Sequence, residues 1–253
     1  MANATFYNVV RETVFGGTLT QAQVDGFNVI IRAWEQMGDG DPRKLAYILA
    51  TTYHETARTM QPVRETLAKT DAKAKEILTK AWKSGKLPWV KRDYWSGGYF
   101  GRGYVQLTWR DNYAKAGKKL GIDLVHQPEL ALQPSIAAHI LIRGMMEGWF
   151  TGKKLPDYIN AIKADYVEAR RIVNGTDRAV MIAGYATKFE QALDQADFSA
   201  EKPAQPRKPT PAPTAPAKPE KAPSGPVAAI VAGLIAIGAA LYAILKAIGA
   251  PLP

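Results

Sequence analysis

The chain has 253 residues, no cysteine and a formal net charge of +10. Disulfide bonds and zinc–thiolate chemistry are therefore excluded, and an apolar share of 47% excludes wholesale disorder. Residues 199–253 carry +4 of the charge and residues 1–198 carry +6; such a surface suits polyanions such as nucleic acid, anionic lipid or a carboxylate- and phosphate-bearing wall, or simply serves solubility.

The opening stretch MANATFYNVVRETVF has neither a basic start nor an apolar core, so no secretory leader is expected. Thr20 with Gln23 three residues on is a capping-box pattern ahead of Val24, Phe27, Ile30 and Ile31, and predicts a helix. Asp41 followed by Pro42 pairs an N-cap residue with proline at the first helical position. The helix they open runs through LAYILATTYHET, with Leu45, Ile48, Leu49 and Thr52 on one face. Glu55 lies two turns beyond Ile48 on that face, which turns its carboxyl toward or beside the core. Burial disfavours the charged form, and that is how a carboxylic acid keeps its proton near neutral pH. Past Pro62, Glu65 supplies a second carboxylate. Spacing alone is a weak signal here, because paired glutamates are common on solvated helix faces.

His54-Glu55 is not followed by a second histidine at the zincin spacing, since Arg58 stands there. With His126 and His139 scattered elsewhere, neither a metal nor another cofactor is expected. Lys69, Lys73, Lys75 and Lys80 read as one solvated helical face, and without a stacking or helix-turn-helix motif no nucleic-acid partner is expected. Trp82 and Trp149-Phe150 are assigned to the core or its rim.

GYFGRGYVQLTWRDNY, residues 98–113, crowds five aromatics, three glycines and two arginines into sixteen positions. A short hairpin around Tyr99–Thr108 is predicted, with Gly101 and Gly103 letting the backbone approach a ligand. Its flat rings suit pyranose faces, or else the core behind them. Pro134 and Ser135 introduce a helix through Ile136 to Arg143, and Ala164–Val173 and Val180–Leu193 are read as the last two. The expected fold is mainly α with one small β-hairpin.

From Ser199 to Pro226 nine of 28 residues are proline, which reads as an extended linker. Val227–Leu245 is then uncharged for nineteen residues, enough for a helix of roughly 28 Å. A catalytic domain at 1–198, a linker at 199–226 and a transmembrane or membrane-associated helix at 227–248 are expected. Ala232, Ala236 and Ala240 form a small-residue stripe suited to weak self-association. Lys202, Arg207, Lys208, Lys218 and Lys221 precede the span and Lys246 follows it, which by the positive-inside rule leaves the domain in the cytoplasm.

HET on a helix, a second glutamate ten residues on, GRGYVQLTWRDNY and RRIVNG occur in that order. Together they resemble the family-19 glycoside hydrolases, a chitinase-like group whose bacteriophage branch comprises endolysins that cut peptidoglycan. The resemblance covers roughly Leu19 to Leu193 and implies a two-lobed, lysozyme-like helical domain. It implies Glu55 as general acid, Glu65 as the base toward water, and the Thr108 hydroxyl helping to hold that water. Gln106 and Asn174 would line the sugar site. Arg102 and Tyr104 fall within the motif and count, with Tyr99 and Trp109, among the sugar-binding candidates; Tyr99, Phe100, Tyr104 and Trp109 offer flat faces to a sugar chain. An inverting reaction is implied, with carboxyls roughly 6.5–9.5 Å apart. Three departures stand out: Tyr104 where many members carry proline, Thr176 where a second glycine is frequent, and a glycine-free TARTMQPVR between the glutamates. The expectation is a muramidase-type endolysin acting on peptidoglycan strands, held at the host inner membrane or in the cytoplasm before release. The alternatives are a chitinase and a silent wall-binding protein.

Overall fold

The computed structural model describes residues 2–198, 244–246 and 248–249. Three helices open the fold: α1 (Ala4–Thr13), α2 (Gln21–Met37) and α3 (Pro42–Glu55). The predicted caps form. Thr20 Oγ1 accepts from the Gln23 N–H while Gln23 Oε1 accepts from the Thr20 N–H at 2.8 Å, and Asp41 Oδ1 accepts from the Arg43 N–H at 3.0 Å. Each cap satisfies amide donors that a helix start leaves without partners.

Helix α3 differs from the one-faced helix its sequence suggests. Every residue from Lys44 to Tyr53 is buried, because α3 runs between α2, α6 (Pro134–Glu147) and α8 (Ala179–Gln195) and packs most extensively on α8. Phe27, Ile30 and Trp34 of α2 and Leu141, Ile142 and Met145 of α6 complete this main core. Glu55 closes a helix that has no solvent side, which settles its environment before any partner is considered.

A second, smaller apolar cluster gathers on α4 (Asp71–Lys83), where Ala74, Leu78 and Ala81 meet Leu87, Trp95 and Phe100. The two clusters give the domain its two lobes. Trp149 and Phe150 are core, whereas Trp82 lies at the rim. Strand β1 (Val63–Arg64) pairs antiparallel with β2 (Arg102–Gly103), matching Val63 to Gly103 and Arg64 to Arg102. A further bridge from Arg102 to Leu107 closes the predicted hairpin. The sequence did not announce that its outer partner is the segment leading into Glu65.

Helix α5 (Arg110–Leu120) follows the hairpin, and α7 (Leu155–Tyr158) leads into an antiparallel pair, β3 (Ile159–Asn160) with β4 (Lys163–Ala164). The helix expected over Ala164–Val173 is therefore corrected. Ala164 is spent in this pairing, and only Glu168–Ile172 coils, as a short 3₁₀ turn.

The linker at 199–226 lies outside the described residues, as does most of the helix expected at 227–248. Of its described end, Ile244 is buried in the α4 cluster and Leu245 is buried as well. Among the described residues no helix is long and apolar enough to cross a membrane.

Two glycines test this packing with opposite signs. A Cβ on Gly26 would lie 1.8 Å from the Met60 carbonyl oxygen, on the loop that follows Glu55. Gly26→Ala should cost about 1–3 kcal/mol in urea unfolding. On α8, a Cβ at Gly184 meets nothing within 4 Å, so Gly184→Ala should stabilise by about 0.5–1 kcal/mol.

Candidate active site

Helix α3 delivers Glu55 to a buried guanidinium. Arg170, on the 3₁₀ turn, donates from Nη1 to Glu55 Oε1 at 2.7 Å, and both side chains are almost wholly out of solvent. Arg170 is held in turn by Nε donating to the Asp177 carbonyl at 3.1 Å. Complete burial raises the Glu55 pKa above its ordinary value, against the opposing pull of Arg170. Glu55 Oε2 has no hydrogen-bond partner among the described residues. The carboxyl thus has one oxygen anchored by Arg170 and one that can carry a proton without giving up a hydrogen bond to the described residues. Next to it, burial, Arg170 and Arg178 push the His54 pKa down to about 3, so that ring is neutral in ordinary buffers.

The loop that follows is strained. Ala57, Arg58 and Met60 adopt φ of 48°, 64° and 53°, the left-handed region that favours glycine. The conformation is held by the Arg58 N–H to the Tyr53 carbonyl at 2.8 Å and by Gln23 Nε2 to the Arg58 carbonyl at 3.0 Å. TARTM therefore reaches without glycine a shape that glycine adopts freely. Non-glycine residues persist there only when their surroundings over-determine them, as these bonds do.

Glu65 begins a 3₁₀ turn over Glu65–Leu67 and is equally buried. Its bonding is the reverse of that of Glu55. Oε2 accepts from the Gly101 N–H at 2.7 Å, and Oε1 accepts from the Tyr94 hydroxyl at 2.5 Å. The Glu65 N–H donates back to the Gly101 carbonyl at 2.7 Å, so both polar groups of one glycine are committed to one glutamate. Burial raises the Glu65 pKa, opposed by the Gly101 amide, the Tyr94 hydroxyl and the Arg102 charge.

The hairpin that supplies the Gly101 amide also carries Gln106 and Thr108, and Gln106 reaches the strand that leads into Glu65. Gln106 Nε2 donates to the Val63 and Gly103 carbonyls at 3.0 and 3.1 Å, leaving Oε1 buried and without a hydrogen-bond partner among the described residues. Thr108 Oγ1 donates to the Gln106 carbonyl at 2.8 Å, which keeps its own lone pairs free to accept. On the α3 side, Asn174 Oδ1 accepts from the Gly175 N–H at 2.8 Å, and Nδ2 is buried without a partner among the described residues. Buried polar atoms are normally paired, and Glu55, Gln106 and Asn174 each keep one that pairs with no described residue, as do core residues such as Trp34 and Tyr47.

Other sequence assignments change. A Cβ on Gly101 would lie 2.8 Å from Gln106 Oε1, and one on Gly103 would lie 2.7 Å from the Ala131 carbonyl. These glycines admit close internal packing rather than a sugar chain. Arg102 was grouped with the sugar-binding residues. Its guanidinium instead donates internally, to the Gly98 carbonyl at 2.6 Å, the Tyr113 hydroxyl at 2.9 Å and Asp71 at 2.6 Å, and lies over the Phe100 ring. Phe100 and Tyr104 are buried too, so neither offers a face to a sugar, although the Tyr104 hydroxyl has no partner among the described residues. Tyr99 and Trp109 are half-buried, with the Tyr99 hydroxyl donating to the Val125 carbonyl at 3.1 Å.

Sequence reasoning missed Arg170 and Tyr94, the side-chain partners of the two carboxyls. Arg170 sits in RRIVNG, and its signal was there: an arginine four residues before Asn174 in a stretch otherwise dominated by buried apolar residues. Tyr94 lies in a loop with no periodicity to give it away.

With Arg102 as an internal strut, Arg102→Met should lower the unfolding free energy by about 1–3 kcal/mol, since the Gly98 carbonyl and the Tyr113 hydroxyl lose a buried donor while the part-exposed Asp71 keeps Arg64. A sugar-binding role would instead raise KM and leave denaturant unfolding near wild type.

The family model described as "Chitinase class I" matches residues 29–156, just over half of the chain. The match includes Glu55, Glu65, Gln106 and Thr108 and stops short of Arg170 and Asn174. An endochitinase of Arabidopsis thaliana is 54% identical over 41 residues, 16% of this chain and 16% of that protein. Endochitinase 1 of Theobroma cacao is 50% identical over 40 residues, 15% of this chain and 12% of that protein. The alignments thus span well under a fifth of these relatives' lengths. Among solved structures, chitinase C from Streptomyces griseus HUT6037 aligns over 78% of this chain and 76% of its own, at 22% identity and a TM-score of 0.49.

Proposed function

Since the chain belongs to glycoside hydrolase family 19, the family of class I chitinases, we propose that it hydrolyses β-1,4 links in an N-acetylated amino-sugar polymer, with Glu55 as general acid and Glu65 as general base. One observation carries the assignment of roles: two buried carboxyls with opposite bonding. Glu55 keeps a bare oxygen and a raised pKa, which suits delivery of a proton. Glu65 has a donor on each oxygen, which suits the ionised form and acceptance of one.

The reaction follows from these roles. Glu55 protonates the glycosidic oxygen as its bond to the anomeric carbon breaks, and Arg170 stabilises the carboxylate left behind. A water held by the Thr108 hydroxyl and Glu65 attacks the anomeric carbon from the opposite face, and Glu65 takes its proton. The configuration at that carbon inverts. Gln106 Oε1 and Asn174 Nδ2 offer an acceptor and a donor to the sugar's amide or hydroxyl groups.

Peptidoglycan is the preferred polymer, cut between N-acetylmuramic acid and N-acetylglucosamine in the manner of a muramidase endolysin. The charge of +6 over residues 1–198 attracts an acidic wall, and the ten-residue separation of the two glutamates without cysteines fits the endolysin branch. Chitin is the second reading, favoured by the endochitinase names of the relatives.

Incubation with isolated peptidoglycan and with chitin, followed by mass spectrometry of the new ends, separates the two. Fragments with reducing N-acetylmuramic acid are expected; release from chitin alone would move the substrate to the second reading. Glu55→Gln should cut turnover on the order of 100- to 10,000-fold while leaving thermal unfolding intact. Activity within tenfold of wild type removes Glu55 from the acid role.

The pH profile of kcat/KM follows from the same two groups. Turnover is lost as pH falls through the Glu65 pKa, because the base protonates, and as pH rises through the Glu55 pKa, because the acid ionises. Burial raises both, so the bell should be centred above the ordinary carboxyl value of 4.5. A maximum below that value contradicts the assignment.

A further inference from the structure

We propose that Tyr94 is the positioning residue of the general base, holding the Glu65 carboxylate in its reactive orientation through a hydrogen bond delivered by a braced aromatic loop. The inference rests on the reading of Glu65 as base and adds a residue outside the sequence motifs that identified the site. The Tyr94 hydroxyl donates to Glu65 Oε1 at 2.5 Å while the Gly101 amide donates to Oε2 at 2.7 Å. A carboxylate gripped at both oxygens cannot rotate about its terminal bond without losing a buried hydrogen bond. The Gly101 bond alone would leave the other oxygen free to swing.

The phenol is itself held. Its ring meets Trp95 edge-on, with centroids 4.9 Å apart at 83°, and Trp109 at 4.9 Å and 48°. Trp95 is buried and donates from Nε1 to Thr79 Oγ1 on α4 at 2.8 Å. Trp109 also carries the Arg92 guanidinium 4.6 Å from its ring centroid. Asp93 Oδ1 accepts from the Trp95 and Ser96 N–H groups at 2.8 and 2.9 Å, fixing the turn on which Tyr94 sits. The α4 lobe thus reaches the base through one hydroxyl. Trp109 serves here as a buttress for Tyr94, an internal role that the sequence did not suggest.

The charged groups around Glu65 fix the direction of the test. Arg102, from β2, favours its ionised form and is shared with Asp71 of α4. Tyr94 does the same from its loop, where burial and the Glu65 charge keep the phenol protonated and therefore a donor. Removing the hydroxyl leaves Arg102 and the Gly101 amide and withdraws one stabiliser of the carboxylate, so the base protonates at higher pH.

The experiment compares the full chain with Tyr94→Phe, Glu65→Gln and the double variant, on whichever polymer the full chain turns over, with thermal unfolding recorded for each. Tyr94→Phe keeps the ring and its packing. It should lower kcat on the order of 10- to 100-fold with KM nearly unchanged, and move the acidic limb of kcat/KM to higher pH. In the Glu65→Gln background it should add little further loss, since the residue it positions is already gone. A Tyr94→Phe enzyme with wild-type kcat and acidic limb, alongside an inactive Glu65→Gln, overturns the role of Tyr94 and leaves the base in place. An active Glu65→Gln overturns both. Should Tyr94→Phe prove unstable, Trp82→Phe, which loosens the same lobe at a ring packed on Trp95 rather than on Tyr94, distinguishes the cases. Equal loss of stability in Trp82→Phe with an unshifted acidic limb supports the hydroxyl's role; the same limb shift in both variants refutes it.

Discussion

The ion pair between Glu55 and Arg170 is the constraint on which the site depends. It joins residues 115 apart, both completely buried, at 2.7 Å. Taking either charge out of water alone costs several kcal/mol, and loss of one partner typically costs 3–5 kcal/mol. The fold meets this by burying α3 on all sides and by bringing the 3₁₀ turn of Arg170 against its end. The pair is not a means of maximising stability, since a well-packed apolar pair often does as well or better. What it gains is a carboxyl with its orientation fixed, one oxygen bare, and a waiting cation for the charge that appears once the proton is given away.

The second carboxyl is built by different means. Glu65 is gripped by backbone and phenol, and the hairpin that supplies the Gly101 amide also carries Gln106 and Thr108. The glycines that make the motif conspicuous work inside the protein. Gly101 allows Gln106 to approach and gives both its amide and its carbonyl to Glu65, and Gly103 makes room for the Ala131 carbonyl. A glycine-rich, aromatic motif is thus a record of close backbone packing at a site as much as of ligand contact.

Much of this was legible in the residues alone. The Thr20 and Asp41 caps, the helix bearing Glu55 and the hairpin all rest on local rules, and local rules survive folding. The failures are non-local. Ala164–Val173 has helical periodicity, yet Ala164 is taken by a strand partner that only the folded chain brings near. Arg102 counts as a sugar-binding candidate because it falls within the motif; Asp71, Tyr113 and Gly98, spread over more than forty positions, turn it inward. Arg170 and Tyr94 escaped for the same reason, since each matters through one distant carboxyl. The left-handed turn at Ala57, Arg58 and Met60 was invisible because the glycines that would advertise it are missing.

The account requires that Glu55 hold its proton in spite of Arg170. The most direct measurement is the titration of the Glu55 carboxyl itself, by carbon-13 NMR of glutamate-labelled protein, assigned by the signal lost in Glu55→Gln. Burial prevailing over the ion pair predicts a midpoint above the ordinary value of 4.5. A midpoint at or below that value would mean that Arg170 keeps Glu55 ionised, and would contradict its role as the acid.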